Sequence, residues 1–297
     1  MSELRWHPLL REWVTVAPAR QERTYHPSAA DCPLCPTRPG RRRTEIPEPD
    51  YHIAVFENRF PSYSREQGRC EVVLYTPDHD SSLGAQPLGQ VRDLVEVWQD
   101  RLAELGALPQ VEYVYIFENR GEEIGVTLSH PHGQIYAYPF IPPLVERELG
   151  AFAAHDGCLY CELLAAERDG PRLISSGGGW ISFVPAFARW PFEVHLAPER
   201  HLRTLLDLTD AEADGLAAGL KDLLQRYDRL FGKPLAYIMA MHGAPAKGEA
   251  PFHFHIEFYP PNRTADKLKY LAGSETGAGA FIVDARAEDT AARLRSL

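Results

Sequence analysis

The sequence has no run of apolar residues approaching the ~20 needed to cross a bilayer. Its first residues, MSELRWHPLLREW, lack the uninterrupted apolar stretch of a secretion signal. Membrane insertion and export are therefore not expected, and a cytoplasmic location is. A basic surplus is missing too: 41 acidic residues face 31 basic ones, for a net charge of −10. Proteins that track nucleic-acid backbones carry the opposite balance, because phosphate contacts call for cations. The one tight basic cluster, Arg41-Arg42-Arg43, sits in a proline-rich loop and reads as a solvated stretch. Polymeric nucleic acid is not an expected partner, whereas a mononucleotide remains open. Nor do the five cysteines read as a disulfide framework in a cytoplasmic chain.

What the chain does have is 297 residues, 44% of them hydrophobic, enough to bury a large core in one domain or two. Four of the cysteines form two C-x-x-C pairs, Cys32/Cys35 and Cys158/Cys161, a spacing used for metal binding or dithiol redox chemistry. The fifth, Cys70, lies in an apolar strand-like run and reads as a small buried hydrophobe.

The two pairs head two halves with the same order of parts. Cys35 is followed 44 positions later by His79, and Cys161 40 positions later by His201. His79 precedes His130-Pro-His132 by 51 positions, and His201 precedes His253-Phe-His255 by 52. Between them each half carries a helix-like stretch, Leu88 to Glu104 and Thr209 to Leu230. The second opens with Thr209-Asp-Ala-Glu212, a capping signature, and repeats leucines at 216, 220, 223 and 224. A β-like run follows each helix, at 111–117 and 235–239. Residues two apart share a strand face, so His130, His132 and Gln134 are expected on one side, as are His253, His255 and Glu257. The pattern predicts an α+β fold of two modules, each a largely antiparallel sheet with packed helices. They are placed at 1–145 and 146–297, with the seam near 141–157.

Two cysteines and two histidines can close a tetrahedral zinc site. Cys32, Cys35, His79 and His130 are the candidates in the first half, and Cys158, Cys161, His201 and His253 in the second. Four protein ligands leave no place for a reacting water, so both sites are expected to be structural. A redox dithiol is the plain alternative for either pair, and the repetition with matching histidines favours metal. His132 is left over. An imidazole there can attack phosphorus and hold the group covalently, provided its other ring nitrogen has an acceptor. Gly133 would let a phosphate approach the backbone, and Gln134 can donate to a phosphate oxygen without adding charge.

With these residues in hand, the chain resembles the galactose-1-phosphate uridylyltransferase family of the histidine-triad superfamily. The resemblance runs from His7-Pro-Leu-Leu-Arg-Glu-Trp through Glu57-Asn-Arg-Phe-Pro61, Phe117-Glu-Asn-Arg-Gly121 and His130-Pro-His-Gly-Gln134 to Phe258-Tyr-Pro-Pro261 and Lys269-Tyr-Leu-Ala-Gly-Ser-Glu275. It implies tandem histidine-triad-like modules and a ping-pong reaction. His132 takes UMP from UDP-glucose, Gln134 stabilises the uridylyl-histidine, and galactose 1-phosphate accepts the group. By motif match, Arg20, Arg23, Asn58, Asn119 and Thr127 would meet the nucleotide and its phosphates, and Lys269 and Glu275 the hexose. A homodimer with shared sites is implied as well.

This sequence departs from the family pattern at several points. Some relatives hold the second metal with a glutamate and three histidines. Glu148, His242 and His255 match three of those ligands, but Glu257 stands where the last histidine would be. The Cys158/Cys161 set is therefore preferred for a second zinc, with Glu148, His242 and His255 as the alternative set and iron as the alternative metal. Arg59 stands where some relatives have an acidic residue, and Ser274 where some have a tyrosine. An AMP-moving phosphorylase, a nucleotide hydrolase and a non-catalytic zinc protein are the competing readings. The substitution Gln134-to-Glu257 between the halves predicts that the second half is catalytically silent.

Overall fold

Helices form where apolar residues recur every three to four positions, because that spacing gives one buried stripe. Val91, Leu94, Val95, Trp98 and Leu105 are the buried face of α1 (Leu88–Gly106). Leu216, Leu220, Leu223 and Leu224 belong to the buried face of α4 (Asp210–Leu230). Thr209 caps α4: its Oγ1 accepts from the Glu212 amide at 3.3 Å, and the Glu212 carboxylate accepts from the Thr209 amide at 2.8 Å. In the computed structural model, which describes residues 2–40 and 42–297, these two helices pack against each other and against one face of a sheet. Arg41 of the basic cluster lies outside the described residues.

The fold is α+β, and the halves share a single sheet. Its strands are β3 (Ala54–Glu57), β4 (Arg69–Leu74), β5 (Tyr113–Arg120), β6 (His132–Tyr138), β7 (Leu173–Gly177), β8 (Trp180–Phe183), β9 (Val194–Pro198), β10 (Tyr237–His242) and β11 (His255–Tyr259). They run in the order β3-β4-β6-β5-β10-β11-β9-β8-β7, and every neighbouring pair is antiparallel. The duplication shows in that order: β4-β6-β5 is mirrored by β9-β11-β10, and the halves join where β5 pairs with β10, with Asn119 opposite Ile238. A separate hairpin, β1 (Glu3–His7) with β2 (Glu12–Val16), lies outside this sheet.

The stretch expected to be the seam between the halves is helical. Residues 143–153 form α2 (Pro143–Ala153), and α3 (Leu159–Glu167) follows, opened by Cys158 as its N-cap. A proline at the first helical position explains why Ile141-Pro-Pro143 starts a helix rather than only ending a strand. Both helices cover the second half of the sheet on the face opposite α1 and α4, where Val145, Phe152, Tyr160 and Leu164 bury against Ile181, Phe183 and Phe252. The chain ends in α5 (Ala287–Arg295), which packs near α4 and β7. Among the described residues, no helix is long and apolar enough to cross a membrane.

Candidate active site and metal centres

The β6 strand begins at His132, not at His130, so the two histidines diverge. His130 precedes the strand, and its ring is buried at the first metal cluster. His132 lies on the open face. Its Nδ1 donates to the His130 carbonyl at 2.8 Å, which leaves Nε2 as the ring nitrogen with a free lone pair. Burial pushes the His132 pKa below the ordinary histidine value, so the ring is neutral at pH 7. A neutral imidazole with a fixed tautomer is what nucleophilic attack on phosphorus requires.

Gln134, two residues on, faces the same side. Its Oε1 accepts from the Tyr136 hydroxyl at 3.3 Å, and that hydroxyl in turn accepts from Arg20 Nη1 at 3.1 Å. The carbonyl end of the amide is occupied, so its NH2 is the end left to donate. Tyr136 was not singled out from the sequence. Its place at i+2 from Gln134 on the same strand face was the available signal. Gly133 serves another purpose than the one its position suggests. A Cβ there would lie 2.2 Å from Tyr75 Oη and 3.2 Å from the Phe117 carbonyl, on the helix side of the sheet. The glycine makes room for Tyr75, because alternation turns it away from the face that carries His132.

A cavity of about 190 Å³ lies against this face. It gathers five of the expected residues beside His132, Gln134 and Tyr136: Arg20, Arg23, Asn58, Asn119 and Thr127; Arg59 lines it too. Arg20 is braced by the Phe60 carbonyl at 3.1 Å and Ser62 Oγ at 3.0 Å. A second cavity of about 230 Å³ reaches His132 from another side, past Asn119, Arg120, Ser82 and Ser129. Lys269 and Glu275 line neither one. Lys269 is buried, paired with Glu275 at 3.2 Å and donating to the Ile282 carbonyl.

Both expected metal clusters are assembled. The ligand atoms of Cys32, Cys35, His79 and His130 lie within 4.8 Å of one another, as do those of Cys158, Cys161, His201 and His253. The bonds behind the ligands repeat as well: His130 Nε2 donates to the Thr76 carbonyl at 2.9 Å, and His253 Nε2 to the Pro198 carbonyl at 3.1 Å. Each bond turns Nδ1 toward the thiols. Burial brings both rings down to about 4, keeping them in the neutral, ligating form. Burial, with the neighbouring thiol adding to it, pushes Cys32 up to about 11 and Cys161 up to about 12. Thiols so placed ionise when a cation shares the site, so the donor chemistry fits a thiophilic metal.

Glu148, His242 and His255 form a third group, sharing no residue with the second cluster. The two ligand sets read from the sequence as alternatives are therefore both present. His242 Nδ1 meets the Glu148 carboxylate at 2.9 Å. His255 repeats His132: its Nδ1 donates to the His253 carbonyl at 2.9 Å. Its Nε2, however, faces Glu257 at 3.4 Å. Glu257 is also met by His195 at 3.2 Å, by Arg189 at 3.4 Å and by the Tyr259 hydroxyl. Burial alone would raise this carboxyl, but His195 and His242 outweigh it and hold it well below the usual range. His195 and Arg189 were missed, since neither lies in a repeated motif. The cross-strand partner of Glu257 on β9 is His195, which only the register reveals.

Residues 62–142 match the galactose-1-phosphate uridyl transferase N-terminal domain, and residues 151–297 match the C-terminal domain of the same family. A galactose-1-phosphate uridylyltransferase from Thermotoga maritima is 41% identical over 319 residues, spanning 99% of this chain and 98% of the relative. One from Streptomyces lividans is 48% identical over 252 residues, spanning 82% and 70%. A solved structure described as a uridylyltransferase superposes with a TM-score of 0.88 at 35% identity, covering 100% of this chain and 98% of the other.

Proposed function

The chain belongs to the galactose-1-phosphate uridylyltransferase family, and on that premise we propose that it moves UMP from UDP-glucose to galactose 1-phosphate through a covalent uridylyl-His132. One observation carries this reading: His132 is neutral, held through Nδ1 by the His130 carbonyl just ahead of its strand, and presents Nε2 to a cavity lined by arginines, asparagines and Gln134. Nε2 attacks the α-phosphorus, the N–P bond forms as the bond to the departing sugar phosphate breaks, and the pair returns to that leaving oxygen. The acceptor phosphate then reverses the step. The Gln134 amide donates to a nonbridging oxygen in both directions, while Arg20 and Arg23 balance the phosphate charge. Asn58, Asn119 and Thr127 contact the nucleotide.

Zinc at the first Cys2His2 cluster would hold the loops that carry Pro33, Leu34 and Ser129, zinc at the second would hold the start of α3, and neither takes part in group transfer. The segment that carries Lys269 and Glu275 would meet the hexose from across a homodimer interface, with the buried Lys269–Glu275 pair holding that segment in shape. Two features support that assignment: both residues lie away from the cavities of their own chain, and the β1–β2 hairpin presents Trp6, Leu9, Leu10 and Trp13 to the exterior. A cytoplasmic location accompanies this role.

The test is intact-protein mass after mixing with UDP-glucose, with ADP-glucose in parallel. A gain equal to UMP, discharged by galactose 1-phosphate, is expected. A gain equal to AMP would move the function to an adenylyl donor. No gain on folded, metal-loaded protein would remove the covalent step.

A further inference from the structure

The cavity continues across the sheet from the nucleophile. On one face, Phe56 of β3 is opposite Val72 of β4, Val72 opposite Gln134 of β6, and Gln134 opposite Phe117 of β5. Two strand spacings, roughly 10 Å, separate Gln134 from Phe56. A ribose bridges such a gap, so a nucleotide joined to His132 places its base over Phe56 and Val72. Pro33 and Leu34, the residues between the first two cysteines, close the other side of the same cavity. The result is an apolar slot for a flat ring.

The polar groups at this end are few. Asn58 Oδ1 accepts from the Phe60 amide at 2.9 Å, which leaves the Asn58 NH2 as a donor. Arg59 Nη1 donates to Glu45 Oε1 at 3.1 Å, and its guanidinium lies 5.7 Å from the Phe60 ring centroid. The Glu45 amide donates to the Pro33 carbonyl at 2.9 Å, so this carboxylate is tied to the loop that closes the slot. Asn58, Arg59 and Glu45 all line the cavity. They offer two donors and one charged acceptor.

Uracil presents the complement: two carbonyl acceptors with an imide N–H between them. Cytosine and adenine present a bare ring nitrogen where uracil has that N–H, and an acceptor facing a carboxylate is left unpaired. We propose that Glu45, held in place by Arg59, accepts the imide N–H of the base and so selects uracil over cytosine and adenine. The Arg59 charge offsets that of Glu45, which keeps the carboxylate compatible with an anionic ligand. The inference rests on the uridylyl reading above and adds to it the residues that choose the base.

Equilibrium binding of UMP and CMP to the full-length, metal-loaded protein tests it without chemistry. Wild type should prefer UMP by at least about tenfold. Glu45→Ala should bring the two affinities to within about twofold, mainly by losing UMP. Glu45→Gln, which keeps the shape, should fall between. Arg59→Ala should weaken UMP less than Glu45→Ala does. Melting temperature and metal content, unchanged, exclude a folding effect. If both Glu45 variants keep the wild-type UMP-to-CMP ratio, the assignment is overturned while the uridylyl reading stands. If wild type binds neither nucleotide, both fall together.

Discussion

His132 and His255 occupy equivalent places in the two copies of one module, with the same hydrogen bond from Nδ1 to the carbonyl two residues back. They differ in what covers them. The face that bears His255 lies under α2 and α3, with the Tyr160 ring stacked 4.5 Å from His255, whereas the face that bears His132 opens onto a cavity. They differ also at the second position along the strand, where an amide on one side answers a carboxylate on the other. Glu257 is locked among His195, Arg189 and Tyr259, and would repel a phosphate that reached it. A duplicated fold thus keeps the geometry of a nucleophile in both halves and the space and charge for a reaction in one.

The largest effect should come from breaking that asymmetry at its centre. His132→Ala is expected to abolish transfer by at least about 10⁴-fold, as loss of a covalent nucleophile does. His255→Ala should keep steady-state rates within a few fold. Making the first half resemble the second, by Gln134→Glu, removes a donor and adds a repulsive charge, and should lower kcat by about 10² to 10³. The converse, Glu257→Gln, should create no activity in a His132→Ala background, because α2 and α3 still cover the face.

The metal clusters sharpen the comparison further. Cys35→Ser and Cys161→Ser should each remove one equivalent of zinc, read by metal analysis. Pro33 and Leu34 line the nucleotide cavity, so the first substitution should also raise KM for UDP-glucose about tenfold. The second cluster contributes nothing to that cavity, and its loss should lower the melting temperature with KM unchanged.

The smallest effect concerns the junction of the halves. Glu118 of β5 is opposite Met239 of β10 and bonds the Tyr237 hydroxyl at 3.2 Å. Burial raises its carboxyl to about 7, against the opposing pull of Arg120 and the Tyr237 bond. A raised carboxyl favours the protonated fold. Its contribution is complete below about pH 4 and is lost as pH rises through 7. Glu118→Gln should therefore gain about 2 kcal/mol relative to wild type on going from pH 5 to pH 8, measured by denaturant unfolding. Parallel stability curves would show that Glu118 is not the buried acid described.

Much of this was readable in the sequence because it depends on short spacings. The C-x-x-C pairs, the paired histidines and the leucines of α4 gave the duplication, the two metal sets and the helices. What escaped depends on register and packing. The single sheet through both halves rests on the β5–β10 pairing, and no local pattern encodes which strand meets which. The helix α2 within the seam escaped too, because a proline suits the first turn of a helix as well as a break. His195 became visible only as the cross-strand neighbour of Glu257, and the role of Gly133 only from the tyrosine beneath it.

The central claim is that one histidine of the two equivalent ones carries the nucleotide. Brief reaction of the wild-type protein with UDP-glucose, rapid quenching, digestion and peptide mass mapping test it most directly. One UMP per chain on the peptide containing His132, with the His255 peptide unmodified, is the predicted result. Label on the His255 peptide, or on both in equal measure, would contradict it.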